Sequence, residues 1–160
     1  MFWWRNWDLS SVKKALFIGF WIKKIIFQKL FIIFFLKITM PKYVIQEHHA
    51  SHLHWDFRLE MNGVLKSWAL PKKPPRSKTI KRLAIQVEDH LRSYADFEGE
   101  IEEGYGKGTV KIWDKGTYRL IEKTPKKIEF ELKGKILQGK YVLIKAEIGD
   151  DKKNWLLIKV

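Results

Sequence analysis

Short runs of alternating apolar and polar residues follow one another from Tyr43 to the C-terminus. They are rich in β-branched and aromatic residues, and their two-residue period is typical of β-strands. Turn-forming pairs such as Asn62–Gly63 and Lys115–Gly116 separate them. We predict strands at residues 43–46, 53–59, 63–70, 82–88, 108–114, 116–123, 127–134, 140–147 and 154–160.

This succession limits the fold class. No long amphipathic helix interrupts it, and the run EDHLRSYADFEG, residues 88–99, has room for a helical turn at most. Many short strands at close spacing favour an all-β barrel or closed sandwich. We predict a compact closed β-barrel of about eight strands with short helical turns.

Residues 1–39 differ from the rest of the chain. They are mostly aromatic, aliphatic and lysine, with Asp8 as the only acid. Lysines cut the apolar runs to about eight residues or fewer, too short for a transmembrane helix, and no signal-peptide pattern is present. The segment is either a helix at a membrane surface or an over-extended translation start before Met40. We therefore predict a helical leader, 1–39, and one domain, 40–160.

Charge and cysteine content narrow the function classes. The net charge of +13 favours a polyanionic partner, either nucleic acid or an anionic membrane surface. The chain has no cysteine, which excludes disulfides, thiolate zinc sites and cysteine nucleophiles, so any metal must be bound by histidine, carboxylate and water. The absence of cysteine fits a reducing cytoplasm, and a single domain of this size fits a monomer.

Four of the five histidines lie in the run EHHASHLHWDFRLE, between Glu47 and Glu60. In a strand, successive side chains point to opposite faces, so residue parity separates the two surfaces. One face then carries Leu53, Trp55, Phe57 and Leu59, and the other carries His54, Asp56, Arg58 and Glu60. The apolar set predicts the core face, and members of the ionisable set lie about 7 Å apart.

His54 and Asp56 form a potential metal site, because both side chains reach one point from a rigid strand. Imidazole nitrogen and carboxylate oxygen suit manganese, iron, zinc or nickel better than calcium. His48 has the right parity for a third ligand, whereas His49 and His52 fit surface residues. The alternative interpretation is a salt-linked polar strand face without a metal.

Arg58 indicates what such a site would bind. A guanidinium recognises phosphate oxygens with two parallel hydrogen bonds, so an arginine beside a divalent ion favours a phosphate clamp over a structural metal site. In the run RLAIQVEDH we expect the core face to consist of Leu83, Ile85 and Val87. Arg82 and His90 share the opposite parity, and they would add a second cation and a proton donor for phosphoryl transfer.

Two segments lack strand character. The run PKKPPRSKTIKR, residues 71–82, predicts a long loop over one face, either a spacer or a phosphate-facing loop. The glycine-rich run EEGYGKGTV has no following Lys-Ser/Thr and no clear helix to bind nucleotide phosphates, so we interpret it as a β-turn.

Taken together, these runs resemble a known family. The similar runs are VIQEHHASHLHWDFRLEMNGVLKSWALPK, RLAIQVEDHLRSYADFEGEI, GYGKGTVKIWDKGTY, FELKGKILQGKYVLIK and NWLLIKV. They are similar to the 3'-phosphoesterase domain of bacterial DNA ligase D and its free-standing archaeal and bacterial relatives. The resemblance extends in order from Pro41 to Val160, and the blocks HLHWDFRLE and LKSWALPK are specific to it.

The resemblance implies a manganese-dependent hydrolase, with other divalent transition metals possible. Such an enzyme removes a 3'-terminal ribonucleoside as a phosphodiesterase and then the 3'-phosphate as a phosphomonoesterase, leaving a 3'-OH. By motif, the metal ligands would be His48, His54 and Asp56. The phosphate would be bound by Arg58, Arg82 and His90, with support from Tyr94 and Lys72.

The resemblance also implies partners. The substrates would be DNA or RNA-tipped DNA 3' ends at primer-template junctions, in non-homologous end joining, with a DNA ligase and polymerase acting in trans. PKKPP stands where the family usually has Pro-Lys-Gly-Pro, and the 1–39 leader has no counterpart that we recognise. The alternative function is a non-catalytic module of the same fold that binds nucleic-acid ends.

Overall fold

The computed structural model describes residues 21–32, 40–104, 106–146 and 153–160. The chain divides into two units between Thr39 and Met40. In the first unit, residues 21–32 form an α-helix, and its large apolar side chains are exposed, Phe27 at 71%. Of the helices that the structure describes, none has the length and hydrophobicity that a membrane crossing requires. The rest of the leader lies outside the described residues.

The second unit contains strands and one short 3-10 helix. The strands are β1 (Lys42–His49), β2 (Leu53–Met61), β3 (Val64–Leu70), β4 (Lys81–Leu91), β5 (Gly99–Ile101), β6 (Gly108–Lys123), β7 (Lys127–Gly134), β8 (Gln138–Lys145) and β9 (Asn154–Lys159). The 3-10 helix η1 (Arg92–Asp96) lies between β4 and β5. It is the helical turn predicted within residues 88–99.

Eight of the strands close into an antiparallel ring. They are hydrogen-bonded in the order β1-β2-β3-β4-β9-β8-β7-β6, and β1 pairs with β6 to complete the circle. The short strand β5, which the sequence did not predict, pairs with β6 outside the ring. The predicted closed all-β barrel is confirmed, and closure leaves the eight strands without a free edge.

Aromatic and aliphatic side chains fill the interior of the barrel. Trp55, Phe57 and Leu59 of β2 are all buried there, as their alternation predicts. The rings of Phe57 and Phe130 stack with centroids 5.7 Å apart, and Trp68 is 1% exposed. Since the interior is packed with apolar side chains, the polar face of β2 lies on the outside of the barrel.

The sequence prediction of two strands at 108–114 and 116–123 is wrong, because β6 is one strand of 16 residues. Gly116 does not form the predicted turn with Lys115. A Cβ on residue 116 would lie 2.2 Å from the carbonyl oxygen of Lys133, so glycine is needed for the close approach of β6 to β7. The strand bends at a β-bulge around Trp113, where Ile45 pairs with Asp114 and the next residue of β1 pairs with Ile112.

The loop between β3 and β4 packs against the barrel. Pro74 and Pro75 are buried, and the Tyr141 hydroxyl donates a hydrogen bond to the Pro75 carbonyl oxygen at 3.1 Å. The Arg76 guanidinium lies over the Trp113 ring, 5.3 Å from its centroid. These contacts make the loop part of the barrel's packing and not a simple spacer.

Asp114 stabilises the turn between β7 and β8 from inside the fold. Its carboxylate is 3% exposed and accepts hydrogen bonds from the Tyr43 hydroxyl at 2.7 Å and the Leu137 amide at 2.8 Å. The amides of Lys135 and Ile136 also donate to it, each at 3.1 Å. One buried carboxylate therefore satisfies four donors.

We expect Asp114→Asn to lower the free energy of unfolding by about 3 kcal/mol. The asparagine NH2 group only donates, so it would leave some of the hydroxyl and backbone N–H donors that now bond to the carboxylate without an acceptor. Equilibrium urea denaturation measures this. The control is Asp89→Asn, which removes a surface ion pair with Lys66 and should cost less than about 1 kcal/mol. Equal losses in the two variants would contradict the role of Asp114.

Candidate active site

Polar side chains on the outer face of β1 and β2 line a cavity of about 430 Å³. His48 comes from β1, and the alternation of β2 brings His54, Asp56 and Arg58 to the same wall. The other walls come from β3, β4, β5, η1, the β1–β2 turn and the segment before β6. The cavity therefore gathers side chains from segments that are distant in the sequence.

His48, His54 and Asp56 form a compact cluster of potential metal ligands. One ligand atom from each residue lies within 4.8 Å of the others. The His48 Nδ1 atom is 3.5 Å from one Asp56 carboxylate oxygen, and the His54 Nε2 atom is 3.7 Å from the other. Two imidazole nitrogens and a carboxylate are a suitable donor set for a divalent transition metal.

The other nitrogen of each imidazole lies against a main-chain carbonyl oxygen. The His48 Nε2 atom is 2.8 Å from the Gly106 oxygen, and the His54 Nδ1 atom is 2.9 Å from the His52 oxygen. Since a carbonyl oxygen only accepts, these two nitrogens carry the ring protons. The lone pairs of the opposite nitrogens then face Asp56, so the described residues fit a metal ion.

Arg58 is buried beside this cluster, and four side chains form hydrogen bonds with its guanidinium group. Its Nη2 atom donates to Asp56 at 3.1 Å, and its Nε atom donates to Gln46 at 2.8 Å. Its Nη1 atom is 2.8 Å from the Ser67 hydroxyl oxygen and 2.9 Å from the His90 Nδ1 atom. These bonds use four of the five guanidinium N–H groups, which leaves one Nη2–H for an anion in the cavity.

His90 has three polar neighbours at one ring nitrogen, of which the Ser67 hydroxyl oxygen is the farthest, at 3.3 Å. Its Nδ1 atom lies 2.9 Å from the Arg58 Nη1 atom, which only donates, and 3.0 Å from the Glu88 carbonyl oxygen, which only accepts. The charge-assisted bond from a buried guanidinium is the stronger, so Nδ1 accepts and Nε2 carries the proton. Burial, with a further contribution from Arg58, also lowers the pKa of His90 below the usual histidine value.

We expect NMR titration to find His90 as the neutral Nε2–H tautomer, with a pKa below the usual 6.5. Because folding favours the neutral ring, the stability from this residue is fully present above the unfolded-state pKa. It is lost as the pH falls through that value toward the lowered pKa. In Arg58→Met, the pKa should rise and Nδ1–H should donate to Glu88. The control Arg92→Met, which removes only an ion pair with Glu60, should leave both properties unchanged.

Tyr94 lines the cavity next to Arg58. The guanidinium carbon of Arg58 lies 5.0 Å from the centre of the Tyr94 ring, and that ring stacks on Phe97 with centroids 4.8 Å apart. Burial raises the pKa of the Tyr94 hydroxyl, which stays protonated at neutral pH. Tyr94 is thus positioned to contact whatever Arg58 binds.

Gln46 and Ser67 are site residues that the sequence analysis missed. Gln46 is fully buried, accepts from Arg58 and donates to the main-chain oxygens of Tyr94 and Phe97, which joins η1 to the barrel. The sequence contains a signal for Gln46, because its position two residues before His48 in a strand predicts that both side chains lie on the same face. Ser67 carried no such signal, since its partners come from β2 and β4.

The sequence prediction for β4 is wrong in its assignment of faces. Leu83 is 37% exposed and Val87 lines the cavity, whereas Ala84 is buried in the barrel core. The β3–β4 pairing shifts register near the end of β4, so a β-bulge brings His90 to the cavity face. Before the bulge, Arg82 pairs with the core residue Leu157 and therefore lies on the other face.

Arg82 and Lys72 both lie outside the cavity lining. Arg82 donates from Nε to the Lys73 carbonyl oxygen at 2.9 Å, so it supports the β3–β4 loop. Lys72 is an exposed residue of that loop. His49 pairs with Glu47 at 2.8 Å and lies apart from the metal-ligand cluster, whereas exposed His52 contributes to the cavity wall.

Fold and cavity define a class of protein: a small antiparallel β-barrel with a potential divalent-metal cluster beside a buried arginine. The family model of the DNA ligase D 3'-phosphoesterase domain matches residues 46–145. The chain therefore belongs to this family, and the resemblance noted in the sequence is confirmed. Its class of chemistry is that of a phosphoesterase, a hydrolase.

Curated relatives support the same assignment. The chain is 45% identical over 124 residues to the multifunctional non-homologous end joining protein LigD of Pseudomonas aeruginosa, covering 74% of this chain and 15% of that protein. It is 47% identical over 119 residues to the protein of that name in Mycobacterium bovis, covering 71% and 15%. The Mycolicibacterium smegmatis protein is 41% identical over 127 residues, covering 72% and 16%. The chain thus spans about one seventh of these relatives' length.

Proposed function

We propose that this protein is a divalent-metal-dependent phosphoesterase that processes DNA 3' ends in non-homologous end joining. It removes a 3'-terminal ribonucleoside and then the 3'-phosphate, which leaves a 3'-OH for synthesis or ligation. One observation carries the proposal: a buried guanidinium donates to the carboxylate of the His-His-Asp cluster at 3.1 Å. An anion-binding group and a metal-ligand set thus share one cavity.

In this proposal His48, His54 and Asp56 hold manganese, or another divalent transition metal, through the lone pairs that face one another. When bound, such an ion supplies Lewis-acid stabilisation of charge on a phosphoryl oxygen. Asp56 has a second task, since it also accepts from Arg58 and fixes the distance between that guanidinium and the ligand set.

Arg58 binds the scissile phosphate through its remaining Nη2–H, with a direction fixed by four hydrogen bonds to side chains. Water adds to phosphorus as the bond to the leaving oxygen breaks. The Nε2–H group of His90 donates a hydrogen bond to that oxygen and stabilises the charge that develops on it, because Arg58 holds the opposite nitrogen as an acceptor. The proton that the attacking water loses passes through solvent to the leaving oxygen. The leaving oxygen is the 5'-oxygen of the ribonucleoside in the first step and the 3'-oxygen of the DNA in the second.

In this proposal, three further residues contact the nucleic acid around the scissile phosphate. Tyr94 supports the substrate beside Arg58, and Lys72 of the β3–β4 loop and Arg82 at the start of β4 contact neighbouring phosphates. The net charge of +13 favours the nucleic-acid backbone, so binding should weaken with salt. A DNA ligase and a polymerase would act on the product in trans.

The organisation of the chain completes the proposal. Residues 40–160 form the phosphoesterase domain and act as a monomer in the cytoplasm, where their DNA substrate lies. Residues 1–39 are a separate leader that contacts a membrane surface or precedes the natural start at Met40. The exposed apolar side chains of residues 21–32 agree with the first of these alternatives.

The test uses the full chain, manganese and a labelled primer-template whose primer ends in one ribonucleotide. We expect loss of the terminal nucleoside, a transient 3'-phosphate and then a 3'-OH product, all abolished by EDTA. An unchanged primer, bound tightly and in a salt-sensitive manner by a metal-loaded protein, would contradict the enzyme and favour the end-binding module.

A further inference from the structure

The environment of His48 decides which of its ring nitrogens is available to a metal. The side chain is 7% exposed, and the Gly106 carbonyl oxygen lies 2.8 Å from Nε2. Since that oxygen accepts and a neutral imidazole has one N–H, the proton resides on Nε2. Nδ1 is left with its lone pair directed at Asp56, 3.5 Å away.

Glycines allow the main chain to reach this position. Gly106 has φ +95°, in the left-handed region that L side chains rarely adopt. A Cβ on Gly108 would lie 2.1 Å from the His49 carbonyl oxygen, so only glycine permits this approach of β6 to the end of β1. The Lys107 amide donates to the Gly104 carbonyl oxygen at 3.3 Å, which closes the predicted turn. The turn thereby presents the Gly106 carbonyl to His48.

His54 shows the opposite arrangement. Its Nδ1 atom lies 2.9 Å from the His52 carbonyl oxygen, so Nε2 is the nitrogen left for a metal. The two imidazoles therefore offer different nitrogens, and each choice is made by a carbonyl from a different loop. For His48 that loop is distant in sequence, which makes the contact a tertiary one.

We propose that Gly106 is a positioning residue of the metal site, whose main-chain carbonyl sets the tautomer and direction of the His48 ring. The inference rests on the metal site of the proposed function and adds to it a residue outside the set of potential ligands. Carbonyl partners of this kind restrict ligand rotation, and losing one weakens metal binding.

The experiment compares Gly106→Ala with Gly139→Ala in the full chain. The two glycines have nearly the same φ, +95° and +94°. An added Cβ would meet nothing within 4 Å at residue 139, and at residue 106 it would meet only the Cε1 atom of His48, at the ordinary contact distance of 3.6 Å. Both alanines therefore meet similar backbone strain, but only at residue 106 does relief of that strain move the main-chain carbonyl that accepts from His48. Manganese affinity is measured by electron paramagnetic resonance of the free ion, with unfolding midpoints to verify that both variants are folded.

We expect Gly106→Ala to raise the Kd for manganese by about 10- to 100-fold and Gly139→Ala to change it by less than about twofold. Equal affinities in the two variants would overturn the proposal. A second readout needs no variant: NMR of the metal-free wild type should show His48 as the Nε2–H tautomer, and an Nδ1–H tautomer would also overturn it.

These outcomes separate the inference from the proposed function. A wild-type protein that binds manganese at His48 and leaves primer ends unprocessed would contradict the proposed function alone. A wild-type protein that does not bind manganese would overturn the inference as well.

Discussion

Replacing His54 by alanine is expected to lower 3'-end processing by at least about 10³-fold, because the proposed metal site would lose one of its three protein ligands. The His54 ring contributes Nε2 to the cluster and makes no contact with Arg58 among the hydrogen bonds of the described residues. The variant thus tests the metal site apart from the phosphate site. Product formation on a ribonucleotide-tipped primer and manganese Kd are both measured.

His49→Ala is the matched control for this prediction. His49 is the neighbour of His48 in sequence, yet its ring pairs with Glu47 and its side chain is 48% exposed. Strand alternation directs it away from the cluster, so we expect activity within about twofold of the wild type. If His54→Ala kept both activity and manganese affinity, or if His49→Ala lost them equally, the ligand set would be wrong.

Replacing Arg58 by lysine is expected to lower kcat by about 10²- to 10³-fold while manganese binding is largely retained. The guanidinium reaches Asp56, Gln46 and Ser67 from three nitrogens at once. A lysine ammonium is a single point with the same charge and cannot reproduce this fork, so its direction toward the phosphate is lost. Single-turnover kinetics under saturating manganese measure the effect on the chemical step.

Arg119→Lys serves as the control for the arginine substitution. Arg119 pairs with Glu131 at 2.9 Å on the surface of β6, so its replacement should change neither kcat nor the unfolding midpoint appreciably. Arg58→Lys must also be shown to be folded, since it leaves buried partners unsatisfied. A folded Arg58→Lys variant with wild-type kcat would remove Arg58 from the proposed mechanism.

The two variants report on different parts of the cavity. His54→Ala should lose metal binding and activity together, whereas Arg58→Lys should lose activity alone. Asp56 connects both parts, because its two oxygens face His54 and Arg58 separately. Were the two variants to lose manganese binding equally, the cavity would act as one undivided site.

Strand alternation predicted the parts of the fold in which local and tertiary preferences agree. In β2, the residues Trp55, Phe57 and Leu59 face the core as their parity requires, and three ionisable residues of the opposite face, His54, Asp56 and Arg58, line the cavity. The Asn62–Gly63 pair forms the predicted turn, with both residues at positive φ. Period-two patterns are reliable wherever a strand is regular.

The same alternation pattern gives wrong predictions where a strand is irregular. The bulge in β4 reverses the parity of His90 relative to Arg82, and residue counting does not detect an extra residue in a ladder. Gly116 was interpreted as a turn because glycine commonly marks one, yet it lies within β6 at a close approach to Lys133. Both errors depend on which strand lies alongside, and that is decided by the barrel.

The amino-acid sequence alone determined the all-β class, the helical turn, the polar face of β2 and the family, because these depend on periodicity and on contiguous motifs. Only the tertiary structure decided how the site is assembled. Ser67 and the Gly106 carbonyl come to Arg58 and His48 through strand pairing and a loop crossing, over separations that carry no local signal. The physical reason is that the partners of a buried arginine or imidazole depend on which strands and loops lie beside it. Barrel closure sets those neighbours, and closure depends on all eight strands together.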